Sequence, residues 1–344
     1  MVLNIGVIGA GLIGRDHIRR VTDDLPGARV SAVADVDLDR AKSVAAGLPA
    51  AKPLPTGLDV IADDDVDAVL VTSWGPTHEE YVLAAIAEGK QVFCEKPLAT
   101  TREACERIID AEVAAGKRLV MVGYMRRYDP AYRALKAAVT AGEIGAPLMF
   151  HSVHRNPAVP PHYSSNMIIN DTCAHDVDIT RFLLESEVAA VRVLTPARRN
   201  RRDPEHLTEA MLVLEMANGV LVDVEASINI AYGYDIRGEI VGETGTVSLG
   251  EATPTVLRRD GGYRGQVPAN WQDRFRSAYD AEFRAWIAAA SRGESTGPST
   301  WDGYATTVVC ETGLAAWRTG DRVEASLRDK PGLYGDPVTP ASHE

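Results

Sequence analysis

Asp171, His175 and Asp178 stand at i, i+4 and i+7 in the segment Asp171-Thr-Cys-Ala-His175-Asp-Val-Asp178. If that segment is helical, one face carries two carboxylates and an imidazole. An imidazole titrates near neutrality, so His175 suits the removal of a proton from a hydroxyl, with Asp171 orienting the ring. Oxidation of a secondary alcohol requires such a base, because the hydroxyl must lose its proton as hydride leaves the same carbon. Lys96, in Glu95-Lys96-Pro97, offers an ammonium group to steady the developing alkoxide. Plainer readings stand beside this one. Asp171 is a natural helix cap with His175 on the helix surface, and Lys96 alone reads as a solvated lysine. Asp, His and Asp are also metal-ligand types, although the further ligands that a metal centre needs are not evident and none is expected.

A second pattern concerns the oxidant. Gly9-Ala10-Gly11-Leu12-Ile13-Gly14 follows an apolar run and opens a helical pattern. There glycines make a tight turn and let a pyrophosphate approach the helix N-terminus. Asp35 lies 21 residues past Gly14, at the end of the next apolar run, where a carboxylate accepts hydrogen bonds from ribose hydroxyls. The pairing implies NAD. A 2′-phosphate would be repelled by Asp35, Val36 and Asp37 supply no guanidinium, and the nearest basic residue is Arg40, so NADP is disfavoured. A glycine turn without a ligand is the bland alternative.

The elements that must position these groups fall into two sets. Leu3–Ile8, Arg29–Ala34, Ala68–Thr72, Gln91–Cys94 and Arg118–Val122 are apolar almost throughout and alternate with helical stretches. That spacing predicts an α/β Rossmann domain over residues 1–123, with a parallel, doubly wound sheet. Glu95-Lys96-Pro97 then lies beyond the carboxyl end of a strand, where such sheets bind ligands.

After residue 123 the strands Leu148–Val153, Val188–Thr195, Ala210–Met216, Val220–Ile228, Ile236–Val241 and Thr246–Leu249 follow one another with few helices. They predict an α+β domain over residues 124–344 with a mainly antiparallel or mixed sheet. Asn218-Gly219 marks a hairpin in which both residues accept positive φ, and Glu243-Thr-Gly245 marks a second turn. Helices are expected at Pro130–Ala141, Asp171–Leu184, Ser277–Ala290 and Trp301–Arg318.

With 344 residues, 45% hydrophobic and 24% charged, the chain has the composition of an ordinary globular protein of two domains. A net charge of −12 disfavours nucleic acid and an anionic membrane surface as partners. No run reaches the ~18 apolar residues of a membrane span. Cys94, Cys105, Cys173 and Cys310 form no C-x-x-C pair and read as reduced packing residues, and with the absence of a signal-like N-terminus they indicate the cytoplasm.

Longer strings add a resemblance. Val71-Thr-Ser-Trp-Gly-Pro76, Phe93-Cys-Glu-Lys-Pro-Leu-Ala-Thr-Thr101, Gly123-Tyr-Met-Arg-Arg-Tyr-Asp129, His154-Arg-Asn-Pro157, Asp171-Thr-x-x-His175, Tyr232-Gly-Tyr-Asp-Ile236 and Trp301-Asp-Gly-Tyr304 resemble the Gfo/Idh/MocA oxidoreductases. Within that family they are similar to the inositol 2-dehydrogenases of bacteria. The resemblance implies Lys96, Asp171 and His175 as catalytic trio, with a cyclic polyol, inositol, as substrate and an inosose as product.

It also implies that Ser73, Trp74, His78, Glu95 and Arg126 line the dinucleotide, that the Lys96–Pro97 bond is cis, and that subunits form a homotetramer through a large open sheet. Arg126, His154, Asn156, Asp178, Tyr234, Trp271 and Tyr279 match the inositol-contacting set. Each has a plainer role available as a core aromatic or ion-pair partner. His151 and His154, three apart in a strand, point to opposite faces. Cys173-Ala174 depart from the pattern inside the Asp-x-x-x-His turn, which bears on the fine position of His175 and would tune the chemistry rather than abolish it. The loop at His162-Tyr163, expected to border the pocket, has no established match, which leaves the stereoisomer open, scyllo-inositol or a related sugar included. Arg198, Arg199, Arg201 and Arg202 would suit a sugar phosphate but read better as a solvated loop. A non-catalytic NAD-sensing protein is the other class, although it has no need of Lys96 and His175.

Overall fold

The computed structural model describes residues 2–197, 206–250 and 256–335; the four arginines at 198–202 lie outside them. The chain separates into two compact units. One falls within Met1–Gly123, Glu282–Ala305 and Leu327–Glu344, the other within Tyr124–Ala281 and Thr306–Ser326.

In the first unit, strands β1 (Leu3–Ile8), β2 (Ala28–Ala34), β3 (Lys52–Pro53), β4 (Ala68–Val71), β5 (Gln91–Glu95) and β6 (Val120–Gly123) form one sheet in the order β3-β2-β1-β4-β5-β6. Every neighbouring pair is parallel. Crossovers are built from helices α1 (Leu12–Arg19), α2 (Leu38–Ala46), α3 (Gly57–Ala62), α4 (His78–Ala87) and α5 (Arg102–Ala115). All residues of β4, β5 and β6 are buried, which is why these runs are apolar without alternation. The strand order reverses between β1 and β4, the place where doubly wound sheets open a crevice at their carboxyl ends.

The expected division put everything after residue 123 in the second domain, but residues 282–305 and the described residues from 327 return to the first unit. A buried carboxylate helps to hold them there. Glu112 accepts the N–H groups of Leu119 (2.6 Å) and Val120 (2.8 Å) and the hydroxyls of Thr300 (2.6 Å) and Tyr334 (2.7 Å). Four donors offset the cost of burying that charge.

The second unit is built on α6 (Pro130–Thr140), β7 (Pro147–Arg155), α7 (Ala174–Leu184), β8 (Val188–Leu194), β9 (Glu209–Met216), β10 (Leu221–Ser227), β11 (Asp235–Gly242) and β12 (Thr246–Ser248). A short ribbon of β13 (Leu257–Arg259) and β14 (Gly262–Arg264) follows, then helix α8 (Trp271–Ala290), whose residues from 282 belong to the first unit, helix α9 (Thr300–Thr319), whose residues from 306 belong to the second, and strand β15 (Val323–Glu324). The larger sheet runs β12-β11-β7-β10-β9-β8-β15, with β7 and β10 parallel and the other pairs antiparallel. Strand alternation separates its faces. Phe150, Ser152, His154, Leu212, Leu214, Val222, Val224 and Ile240 are buried. Met149, His151, Val153, Met211, Leu221, Asp223, Arg237 and Glu239 stay partly or fully exposed on the other face.

Three local expectations change. At the hairpin, Gly219 alone has positive φ (+87°); the Gly219 N–H donates to the Met216 carbonyl (2.9 Å), so Ala217 and Asn218 occupy an ordinary turn and glycine takes the left-handed position after it. At the helix expected from Asp171, a π-helical turn spans Ile168–Thr172 and α7 begins only at Ala174, without a side-chain cap. Asp171 is therefore not the cap of α7. Helix α8 starts six residues before the expected Ser277, at Trp271.

Candidate active site

The first unit gathers the glycine turn, Asp35, Ser73, Trp74, His78, Glu95 and Lys96 at the carboxyl ends of β1, β2, β4 and β5. Gly9 has φ of +99°, and a Cβ there would lie 2.6 Å from the Ser73 nitrogen; a Cβ on Gly14 would lie 2.1 Å from the Gly9 carbonyl oxygen. These two glycines are required by the protein's own packing. Gly11 is different: a Cβ there would meet nothing within 4 Å, and its φ of −71° suits any residue. The space in front of Gly11 thus fits a pyrophosphate drawn close to the start of α1, with Leu12 and Ile13 following in that helix. Leu12, Val36 and Trp74 are among the most exposed large apolar side chains, at 64%, 104% and 78%. They stand just after β1, β2 and β4 and offer flat apolar surface for the rings of a dinucleotide.

Asp35 directly follows β2 and is buried. Its Oδ2 accepts the Ala10 N–H (2.7 Å), and its Oδ1 accepts the Asp37 N–H (2.8 Å) and Arg40 Nη1–H (3.0 Å). Arg40, the nearest basic candidate for a 2′-phosphate, is thereby held by Asp35 and also by Asp37 (3.3 Å).

Lys96 follows β5 and is half-buried, and the Lys96–Pro97 peptide is cis. Segments on both sides of it are anchored. The Lys96 N–H donates to Glu95 Oε2 (3.1 Å), and Glu95 Oε1 meets His17 Nε2 (2.8 Å). On the far side His78, buried at the start of α4, sets Nδ1 2.7 Å from the Pro97 carbonyl and Nε2 3.0 Å from that of Ser73. Burial pushes the His78 pKa down. His17 was not singled out in the sequence; the available signal was a histidine in the buried row of α1, between Gly14 and Ile18.

In the second unit a buried polar cluster lies beneath α7. Arg126, 1% exposed, donates from Nη1 to Asp176 Oδ1 (2.6 Å), and its Nη2 lies 2.9 Å from His154 Nδ1. His154 Nδ1 is 2.7 Å from Asp176 Oδ2, Ser152 donates to Asp176 Oδ1 (3.0 Å), and Tyr234 Oη stands 3.3 Å from His154 Nε2. Burial raises the Asp176 pKa, but Arg126 and His154 outweigh it and the carboxyl titrates below the usual carboxylate range.

His175, half-buried, packs edge-on to Tyr124 (6.4 Å between centroids) and near His154 (6.5 Å). Asp171 is half-buried in the π-helical turn, whose Thr172 hydroxyl meets the Tyr163 hydroxyl at 2.5 Å. Asp178 is buried and takes a two-pronged pair from Arg127 (2.9 and 2.6 Å). Trp271 and Tyr279 form a T-shaped pair at the start of α8 (5.7 Å), and Asn156 is half-buried just past β7. The structure therefore brings together Arg126, His154, Tyr234 and His175 around Asp176, a residue the sequence reading passed over. His151 sits on the sheet's other face, paired with Asp223.

A six-stranded parallel sheet with a glycine turn at its switch point and an acid directly after β2 defines a dinucleotide-binding Rossmann domain. Residues 3–124 match the family described as oxidoreductase, NAD-binding Rossmann fold, and residues 132–248 match the GFO/IDH/MocA C-terminal domain. The chain belongs to the Gfo/Idh/MocA oxidoreductase family. It is 52% identical over 336 residues (97% of this chain, 99% of the relative) to Inositol 2-dehydrogenase 3 of Saccharopolyspora erythraea. It is 49% identical over 337 residues (97% and 100%) to inositol 2-dehydrogenase of Pseudomonas fluorescens. Among solved structures, myo-inositol dehydrogenase from Lactobacillus casei in complex with NAD(H) and myo-inositol shares 36% identity at a TM-score of 0.94, covering 97% of this chain and 100% of that one.

Proposed function

We propose that the protein oxidises myo-inositol at one ring carbon to the corresponding ketone, an inosose, with NAD as hydride acceptor. The observation that carries this reading is the likeness, over 97% of this chain, to a structure holding NAD(H) and myo-inositol. NAD, when bound, accepts the hydride at C4 of its nicotinamide. The protein's own residues do the rest. The His175 imidazole takes the hydroxyl proton, Asp171 orients that ring, and the Lys96 ammonium stabilises the alkoxide as the C–H bond breaks and the C=O bond forms.

Arg126, His154 and Tyr234, preorganised by Asp176, supply polar contacts to the ring hydroxyls, joined by Asn156, Asp178, Trp271 and Tyr279. Preorganisation matters because a polyol exchanges hydrogen bonds with water for hydrogen bonds with the site, and the net gain per bond is only about 1 kcal/mol.

The same reading places the enzyme in the cytoplasm, consistent with its reduced-thiol composition, and as a homotetramer assembled through the exposed sheet face that carries Met211 and Leu221. Light scattering should then give four times the chain mass; a monomer would remove that part.

The test of function is NADH formation with myo-inositol, scyllo-inositol, D-chiro-inositol, glucose and a sugar phosphate. Myo-inositol is expected to give the highest kcat/KM. A clear preference for scyllo-inositol or for the phosphate would replace the substrate named here.

A further inference from the structure

Helix α1 does more than present its N-terminus to a pyrophosphate. We propose that His17, on that helix, is a positioning residue for Lys96, acting through Glu95 on the peptide that carries the ammonium group. The inference rests on the reading that Lys96 acts on the substrate alcohol.

Four side chains make a line, buried at Arg20, His17 and Glu95 and half-buried at Asp16. Asp16 Oδ2 accepts from Arg20 Nη2 (2.9 Å), Arg20 Nη1 lies 2.8 Å from His17 Nδ1, His17 Nε2 lies 2.8 Å from Glu95 Oε1, and Glu95 Oε2 accepts the Lys96 N–H (3.1 Å). A guanidinium only donates, so His17 Nδ1 accepts and the ring proton sits on Nε2, aimed at Glu95. Burial pushes the His17 pKa down against the pull of Glu95, which keeps the ring neutral and the tautomer single. Phe283 (4.3 Å) and Phe93 (5.9 Å) fix the ring plane.

If this contact merely joined α1 to β5, an apolar side chain among these phenylalanines would serve, without the desolvation of a histidine and a carboxylate. What the polar pair adds is direction: both Glu95 oxygens are set, and with them the peptide of Lys96. His78 braces the following carbonyl, that of Pro97, so the lysine is held from both sides.

The test compares His17→Phe, which keeps the aromatic volume and removes the donor, with His17→Gln, which retains an N–H near Nε2. Both are measured alone and in a Lys96→Met background, for kcat, KM, NAD Kd and melting temperature. His17→Phe should keep NAD Kd and the KM for myo-inositol within about threefold and lower kcat roughly 10- to 100-fold, the scale of a misplaced reacting group. His17→Gln should restore most of the loss. In the Lys96→Met background His17→Phe should add nothing, because the two losses share one cause.

Wild-type kcat in His17→Phe, or a loss that multiplies fully with that of Lys96→Met, would overturn the proposal. Should His17→Phe not fold, His17→Gln against His17→Asn reads the same contrast, since the shorter amide stops short of Glu95. Wild-type turnover in Lys96→Met would instead remove the role of Lys96, and this inference with it.

Discussion

Asp35 Oδ2 accepts the Ala10 N–H at 2.7 Å, so the acid at the end of β2 is bonded to the glycine turn at the end of β1. Its other oxygen holds Arg40 (3.0 Å). One carboxylate thus shapes the turn and restrains Arg40; on the proposed mode of NAD binding it would also repel a 2′-phosphate. Asp35→Ser should raise the KM for NAD by about tenfold or more, since hydrogen bonds to a charged group are worth about 1.5–3 kcal/mol, and should release Arg40 to favour NADP. Parallel kcat/KM values for the two dinucleotides check this. An unchanged ratio would remove Asp35 from cofactor choice.

Gly11 and Gly14 should respond oppositely to alanine. Gly11→Ala meets no protein atom, so its melting temperature should stay close to wild type; if the pyrophosphate approaches Gly11 as proposed, the added methyl group should raise NAD Kd at least about tenfold. Gly14→Ala forces a Cβ against the Gly9 carbonyl and should cost about 1–3 kcal/mol of stability. Calorimetry and a fluorescence titration with NAD separate the two effects.

Asp176 and Arg126 form a fully buried ion pair at 2.6 Å. Removing one partner leaves the other charge buried alone, so Asp176→Ala should lose about 3–5 kcal/mol, and Arg126→Met with Asp176→Leu should recover stability without recovering activity. The acid limb carries a sign as well. The folded pKa of Asp176 is lowered, so its contribution is complete above the unfolded value, about pH 4, and fades as pH falls below it. Melting temperature should therefore drop more steeply below about pH 4 in the wild type than in the double variant. Parallel curves would deny the pair that role.

The first sheet was legible because β1, β2, β4, β5 and β6 are buried on both faces and therefore apolar in runs. Lys52–Pro53 was not, being an exposed two-residue edge strand with nothing apolar to mark it. The spacing of Asp171 to His175 fits an α-helix, whereas the π-helical turn that contains Asp171 has no comparable signature in the sequence. Lys96 and His175 could be found from residue type and motif.

Asp176 and His17 could not be weighed that way, since their importance lies in whom they touch. Asp176 stands in the buried row that continues through Thr180 and Leu183, and a carboxylate in such a row signals a partner without naming Arg126. The return of residues 282–305 to the first unit involves tertiary contacts that no periodicity encodes, Glu112 with Thr300 and Phe283 with Phe93 among them.

If the Lys96 ammonium and the His175 imidazole carry out the chemical step as proposed, their loss must act on turnover and not on dinucleotide binding. The most direct measurement is kcat with myo-inositol for Lys96→Met and His175→Ala, set beside NAD Kd for the same preparations. Each kcat should fall by about 10²-fold or more, the scale of general acid–base catalysis, while NAD Kd stays within a few-fold of wild type. Undiminished kcat in both variants would remove Lys96 and His175 from the chemical step.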